Sequence, residues 1–171
     1  MRDVKQEVLD RVMEFYNPDF RFLKFAKVDY PIGKGYFVLE DMGYASDGPD
    51  NITDIEVGLC LEQICRVYIG NSIMEKRVEN FEDMGFEDYL EEMKENLLIV
   101  GSNKKFERKT SYDICFETKI EVKKSGGTKD TYVAKIDFLL NNGDCSGDFT
   151  IVLKRNKNMN QQTTIDDNYN A

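Results

Sequence analysis

The feature that most constrains the fold is a long apolar segment, DNITDIEVGLCLEQICRVYIGNSI, which occupies residues 50 to 73. On a helical wheel, its apolar side chains cover almost the whole circumference. A helix of this kind is buried on most sides, because an exposed apolar face is costly in water. Thr53 or Asp54 is the expected N-cap. The rest of the chain must therefore supply a surface that surrounds one central helix.

Strand patterns on both sides of the helix supply that surface. Before it, FRFLKFAKV and KGYFVLED are aromatic and β-branched, and Pro31 and Gly33 between them indicate a turn. After it, YDICFETKIEVKK alternates strictly, so that every second side chain belongs to one face. The members of that face are Ile114, Phe116, Thr118, Ile120 and Val122. The hairpin turn SGGTKD follows. Further strands are predicted in LLIVGSNKKFER, TYVAKIDFLL and GDFTIVLKR, with NNGDCS between the last two.

Two further helices and a polar tail complete the organisation. Apolar spacing predicts a helix over 3–15 and an acidic helix over 86–96, and SDGPDN at 46–51 is a predicted loop. We expect one domain over residues 1–155. The Asn- and Gln-rich segment 156–171 is expected to be disordered.

Short turns between successive strands indicate an antiparallel sheet. The predicted fold class is α+β, a hot-dog fold in which a curved antiparallel sheet wraps around a central helix. Such sheets pair edge to edge, so a homodimer or a higher homo-oligomer is expected.

Charge and composition exclude several classes of function. The 171 residues carry a formal net charge of -9, which argues against a nucleic-acid partner. No apolar run reaches the roughly 18 residues of a membrane span, and the polar N-terminus does not resemble a signal peptide. We therefore expect a cytoplasmic protein.

The residues that catalysis can use are limited by what the chain lacks. There is no histidine, which excludes Ser-His and Cys-His catalysis and histidine-ligated metals. The cysteines do not form a CxxC motif, and we interpret them as buried, reduced thiols. Acidic clusters such as YLEEMKEN are interpreted as a solvated helix face, so neither a metal nor a cofactor is expected.

Glu62 stands out because it lies in the middle of the apolar helix. Its helical stripe is mostly apolar and contains Ile55, Gly58, Leu59, Cys65 and Ile69, whereas Glu56 and Gln63 mark a polar flank. Three interpretations remain open. Glu62 forms an ion pair with Arg66 one turn later, points into a substrate tunnel as a functional carboxylate, or makes a structural hydrogen bond in a dimer interface. Gly58, on the same stripe, would let a ligand approach the helix backbone.

Three segments in order resemble the FcoT-like branch of the hot-dog thioesterases. EVLDRVMEFY resembles the opening helix of that family and ends at Tyr16. DIEVGLCLEQ resembles its central helix, and FEDYLEEMKENLLIVGSNKKFERK resembles its acidic helix and the following basic strand. The similarity spans about residues 7 to 155.

The resemblance implies an enzyme that acts on long-chain acyl thioesters of coenzyme A or of an acyl carrier protein. Some relatives add glycine across a 2-enoyl thioester instead. Tyr16 and Tyr44 match tyrosine positions of the family, whereas Thr53 and Glu62 replace its asparagines. Dehydratases of this fold require a histidine, so its absence disfavours dehydration.

These residues suggest a thioester chemistry. Glu62 would act as general base on water, and backbone amides near residues 52–55 would bind the oxyanion. Tyr44, Asn51 and Thr53 would contact the thioester or the water, although Thr53 equally suits an N-cap. Tyr16 would close the pocket, or simply pack as an aromatic ring.

Substrate binding is predicted at the apolar strip and at a basic cluster. The predicted binding residues are Gly58, Leu59, Arg66, Lys104, Lys105 and Arg108, with Lys109 completing the cluster. The basic side chains would meet the phosphates of the thioester carrier, or they form only a solvated strand end. The leading hypothesis is a thioester hydrolase. The alternatives are an enoyl-thioester addition enzyme and a non-catalytic module that binds a lipid or only dimerises.

Overall fold

The computed structural model describes residues 1–39, 51–109 and 115–156, which form one antiparallel sheet and three α-helices. The elements are β1 (Arg2–Asp3), α1 (Gln6–Met13), β2 (Leu23–Asp29), β3 (Ile32–Val38), α2 (Asp54–Met74), α3 (Phe86–Asn96), β4 (Leu97–Phe106), β5 (Cys115–Thr128), β6 (Thr131–Leu140) and β7 (Cys145–Lys154). The predicted helices and strands are confirmed within these ranges. The short strand β1 was not predicted, and α1 is shorter than expected because residues 2 and 3 pair with β2.

The sheet has the order β1-β2-β3-β5-β6-β7-β4, and every neighbouring pair in it is antiparallel. In the sequence, α2 lies between β3 and β4. In the sheet, these two strands are far apart. The connection through α2 and α3 therefore carries the chain across the sheet, and β4 becomes an edge strand beside β7. The predicted antiparallel sheet around a central helix is confirmed.

Helix α2 begins with a capping box. Thr53 Oγ1 accepts a hydrogen bond from the Ile55 amide at 3.3 Å, and the Thr53 amide donates to Glu56 Oε2 at 2.8 Å. Two backbone donors at the helix start are thereby satisfied. The N-cap predicted at Thr53 is confirmed.

The core lies between α2 and the inner face of the sheet. The predicted alternation in β5 is confirmed, because Phe116, Thr118, Ile120 and Val122 are buried while the residues between them are more exposed. Ile114 and the preceding residues of that motif lie outside the described residues. Among the described residues, no helix combines the length and apolar character that crossing a membrane requires.

The pairing of β4 with β7 depends on a glycine. A Cβ atom on Gly147 would stand 1.9 Å from the backbone oxygen of Asn103, whereas a Cβ atom on Gly101 would meet nothing within 4 Å. We expect Gly147→Ala to lower the free energy of unfolding by at least about 2 kcal/mol. The alanine methyl group would clash with the Asn103 backbone, which cannot move aside as a flexible side chain can. Gly101→Ala, in the same strand pair, should change it by less than about 0.5 kcal/mol. Urea unfolding of both variants checks this expectation, and equal stabilities would contradict it.

Candidate functional site

Glu62 lies at a cleft between the middle of α2, the end of α3 and the start of β4. The cleft has a volume of about 310 Å³. It is lined by Glu62, Cys65, Arg66, Lys94, Leu97, Leu98, Ile99 and Ile151. One acidic and two basic side chains therefore stand at an otherwise mostly apolar cleft, an arrangement that suits an apolar ligand with one polar group.

The Glu62 carboxylate is held through one of its two oxygens. Oε1 accepts the Tyr16 hydroxyl at 3.3 Å and Arg66 Nε at 2.9 Å, and Arg66 Nη2 lies 2.7 Å from the same atom. The other oxygen, Oε2, has no hydrogen-bond partner among the described residues. The Glu62 side chain is 34% exposed, whereas that of Arg66 is only 11% exposed. The ion pair predicted between these residues is therefore present, and the carboxylate also reaches the cleft.

Arg66 is fixed from the side of α3. Its Nη1 donates to the Met93 carbonyl at 2.6 Å, and its guanidinium lies over the Tyr16 ring, 5.8 Å from the centroid. The Tyr89 hydroxyl also donates to the Arg66 carbonyl at 2.6 Å. The contacts with the Met93 carbonyl and the Tyr16 ring limit the rotamers of Arg66 and, through it, those of Glu62.

Tyr16 reaches Glu62 from the chain that follows α1. Burial raises the pKa of the Tyr16 hydroxyl well above its ordinary value; the nearby Arg66 opposes this rise, and the Glu62 carboxylate adds to it. The phenol therefore stays protonated and donates to Glu62 at neutral pH. The resemblance had placed Tyr16 at the site, and the hydrogen bond brings it directly to the predicted carboxylate.

The other predicted residues at the start of α2 lie at a separate cleft. That cleft, about 470 Å³ in volume, is lined by Asn51, Ile52, Thr53, Phe106, Glu107, Arg108 and Lys109. Thr53 and Glu62 are more than two helical turns apart, about 13 Å along the axis. The single site predicted from the sequence is therefore divided between two clefts. Tyr44 lies outside the described residues.

The predicted oxyanion site at residues 52–55 is weakened by the capping box. The amides of Thr53 and Ile55 are already used within the cap. A donor that is satisfied in this way cannot also bind a developing oxyanion without breaking the cap. Thr53 is accordingly a structural N-cap.

The basic cluster is neutralised by acidic neighbours. Lys104 Nζ lies 2.7 Å from Asp54 Oδ1, and Arg108 Nε lies 3.1 Å from Asp144 Oδ1. Lys105 pairs with Glu107. A phosphate would have to compete with these carboxylates.

Lys104 also covers the glycine that was predicted to admit a ligand. A Cβ atom on Gly58 would stand 3.6 Å from Lys104 Nζ. Gly58 and the half-buried Leu59 therefore lie between the two clefts along α2 and do not line either of them.

The polar flank predicted at Glu56 and Gln63 does not face solvent, because both side chains are fully buried. Glu56 closes the capping box. Gln63 hydrogen-bonds the backbone at the start of β2. A helical wheel treats such residues as solvated, since it has no information on the backbone groups that oppose them.

Among the described residues, no group of acidic or cysteine side chains is arranged to hold a metal ion.

The thiol nearest to Glu62 is unsuited to act as a nucleophile. Cys65 is buried, and burial raises the pKa of its thiol far above the ordinary value. Cys60 and Cys145 are also buried, whereas Cys115 is exposed. We expect iodoacetamide to alkylate Cys115 in the native protein and the other three cysteines only after unfolding. Peptide mass spectrometry checks this, and rapid native labelling of Cys65 would contradict it.

Comparisons with known proteins place the chain among thioesterases. A family model described as FcoT-like thioesterase domain matches residues 11–153. A search of curated proteins finds no match.

Several solved structures share the fold at low sequence identity. A hypothetical thioesterase from Streptococcus pneumoniae TIGR4, solved with coenzyme A, is 13% identical, with a TM-score of 0.53 over 86% of this chain and 99% of that one. Zebra fish thioesterase superfamily member 2 is 11% identical, with a TM-score of 0.52 over 88% and 97%. The E. coli PaaI protein from the phenylacetic acid degradation operon is 10% identical, with a TM-score of 0.50 over 88% and 92%. The fold is therefore a hot-dog fold, as predicted.

Proposed function

The chain belongs to the FcoT-like thioesterase family, and on this premise we propose that it hydrolyses acyl thioesters with Glu62 as general base. The observation that carries the proposal is the asymmetric environment of the Glu62 carboxylate. Oε1 receives Tyr16 and Arg66, while Oε2 has no partner among the described residues. A carboxylate held by one oxygen at the rim of a cleft can present the other oxygen to a water molecule.

The proposed reaction has two steps. Glu62 Oε2 takes a proton from water as the water oxygen attacks the thioester carbonyl, which gives a tetrahedral intermediate. The carbon–sulfur bond then breaks, and the proton passes from Glu62 to the departing thiolate, so that a carboxylic acid and a thiol are released. The guanidinium of Arg66 supplies positive charge beside the developing oxyanion. Tyr16 keeps the carboxylate oriented throughout.

For the substrate we propose a long-chain acyl thioester of coenzyme A or of an acyl carrier protein. The apolar wall of the Glu62 cleft, formed by Leu97, Leu98, Ile99 and Ile151, suits an acyl chain. The phosphates of the carrier would lie near the start of α2, where Lys109 lines the second cleft and Arg108 would exchange Asp144 for a phosphate. The Streptococcus pneumoniae thioesterase was solved with coenzyme A, which is in keeping with this class of ligand.

We further propose that the protein acts as a homodimer, paired through β4. This strand lies at the edge of the sheet, and its residues 98–103 are all exposed, so both of its faces are uncovered. Val100 is 57% exposed, and Ile55 at the start of α2 is 63% exposed. An edge strand whose first half is apolar and exposed needs a covering partner, and a second copy of β4 supplies one. The four free cysteines suit a reducing cytoplasm, where we place the reaction.

The proposal is tested with a panel of saturated and 2-enoyl thioesters of increasing chain length, incubated with the protein with and without glycine. Mass spectrometry should detect the free acid in the absence of glycine. If only the enoyl substrates react, and the product is a glycine adduct, the activity is addition to an enoyl thioester and not hydrolysis. If no thioester in the panel is consumed, the protein is a non-catalytic module.

A further inference from the structure

Glu62 and Gln63 are adjacent on α2 but serve different surroundings. Successive residues of a helix project about 100° apart, so Glu62 points to the cleft while Gln63 points to the start of β2. Gln63 is fully buried, and its amide oxygen accepts the backbone N–H groups of Phe22 at 3.1 Å and Leu23 at 2.9 Å. Its amide nitrogen donates to the Phe20 carbonyl at 2.5 Å. The Gln63 side chain thus hydrogen-bonds the backbone of the residues that precede and follow Arg21.

Arg21 in turn holds the backbone of Tyr16. Its Nε donates to the Tyr16 carbonyl at 2.9 Å. The intervening residues form a tight turn, in which the Arg21 amide donates to the Pro18 carbonyl at 3.2 Å. The turn between Tyr16 and Arg21 is therefore closed by the Arg21 side chain and fastened to α2 by Gln63.

These contacts form a closed circuit through two adjacent residues of α2. It runs from Gln63 to the backbone around Arg21, then to Tyr16, and back through the Tyr16 hydroxyl to Glu62, the residue before Gln63. Both ends of the connecting segment are anchored to neighbouring residues of the same helix. The distance between the phenol and the carboxylate is fixed by this geometry.

We infer that Gln63, acting through Arg21, is a positioning residue that holds the Tyr16 hydroxyl against Glu62 and so orients the carboxylate for catalysis. Its catalytic meaning rests on the proposed function. Its structural part does not, because the Tyr16–Glu62 contact can be measured without substrate. The circuit explains why an amide is buried at position 63. Both the donor and the acceptor of the amide are used, and neither a carboxylate nor an apolar side chain could replace it.

The test compares Arg21→Met and Gln63→Leu with Arg11→Met. Arg11 is the matched control, because its guanidinium pairs with Glu87 at the surface and makes no contact with Tyr16. Arg21→Met keeps the experiment interpretable if Gln63→Leu fails to fold, since two buried backbone amides and one part-buried carbonyl would lose their partner in that variant. Each change is made in the wild-type and in the Tyr16→Phe background.

Two readouts are combined. With ¹³Cζ-labelled tyrosine, the NMR signal of Tyr16, assigned by its loss in Tyr16→Phe, should shift in Arg21→Met and stay in place in Arg11→Met. In the wild-type background, Arg21→Met should lower kcat by about tenfold with little change in KM, because a displaced catalytic group costs rate more than binding. In the Tyr16→Phe background the same substitution should have less than about a twofold effect, since the contact it supports is already absent.

An unmoved Tyr16 signal in Arg21→Met would overturn the inference. An equal loss of kcat in both backgrounds would also overturn it, because the residue would then act on stability and not through Tyr16. A shifted signal in a protein that hydrolyses no thioester would support the positioning circuit and overturn the proposed function.

Discussion

Replacing Glu62 with glutamine is expected to lower kcat for thioester hydrolysis by about 10²- to 10⁴-fold, the usual contribution of a general base. Glutamine has the same shape, and its amide oxygen can still accept the Tyr16 hydroxyl and an Arg66 donor. It cannot take a proton from water. Steady-state kinetics on the best thioester of the panel measure the effect, and thermal unfolding shows whether the fold persists.

The fold should tolerate this substitution. The Glu62 side chain is 34% exposed, and glutamine keeps an acceptor oxygen for the largely buried Arg66, so the loss of stability is expected to be small. Glu75→Gln is the matched control, because Glu75 caps the other end of α2, is 31% exposed and pairs with Arg77 at 2.9 Å. This control should retain full activity. Full activity in Glu62→Gln would show that the Glu62 carboxylate is only a structural partner of Arg66.

A charge placed on β4 is expected to separate the dimer. Val100→Glu would bury a carboxylate in the interface of each copy, and the cost counts twice in a symmetric pair. We expect the dissociation constant of the dimer to rise by at least about 100-fold, which corresponds to about 1.4 kcal/mol per copy. Sedimentation equilibrium over a range of concentrations measures this change.

The control for this experiment is an exposed apolar residue away from the edge. Leu139 in β6 is 42% exposed, and its strand is paired on both sides. Leu139→Glu should leave the oligomeric state unchanged. A wild-type protein that stays monomeric at high concentration, or a Val100→Glu protein that dimerises as tightly as wild type, would contradict the proposed interface.

The fold was predictable because its signals are periodic and local. The period-two pattern of β5 has one face that is buried from Phe116 to Val122, and the all-round apolar character of α2 requires a surrounding sheet. Thr53 carries a capping box that is visible in four consecutive residues. Strand β1 was missed because a strand of two residues is too short to show an alternating pattern of apolar and polar side chains.

The site was only partly predictable, because a helical wheel records angle and ignores axial distance. Asn51 and Thr53 were grouped with Glu62, yet the structure separates them into two clefts. Gln63 was assigned only to a polar flank, because its backbone partners at 20–23 lie about 40 residues away in sequence. The ion pairs of Lys104 and Arg108 likewise depend on residues that only the fold brings together.

The most direct test of the central claim is a single turnover in ¹⁸O-labelled water with the protein in excess over an acyl thioester. If Glu62 acts as general base, the released acid carries one ¹⁸O atom from the first turnover, and the peptide that contains Glu62 stays unlabelled. If Glu62 instead attacks the carbonyl itself, and water then opens the resulting mixed anhydride at the Glu62 carbonyl, the first acid released carries no label and ¹⁸O appears in the Glu62 carboxylate. That second result would contradict a general-base role for Glu62, as would the absence of any released acid.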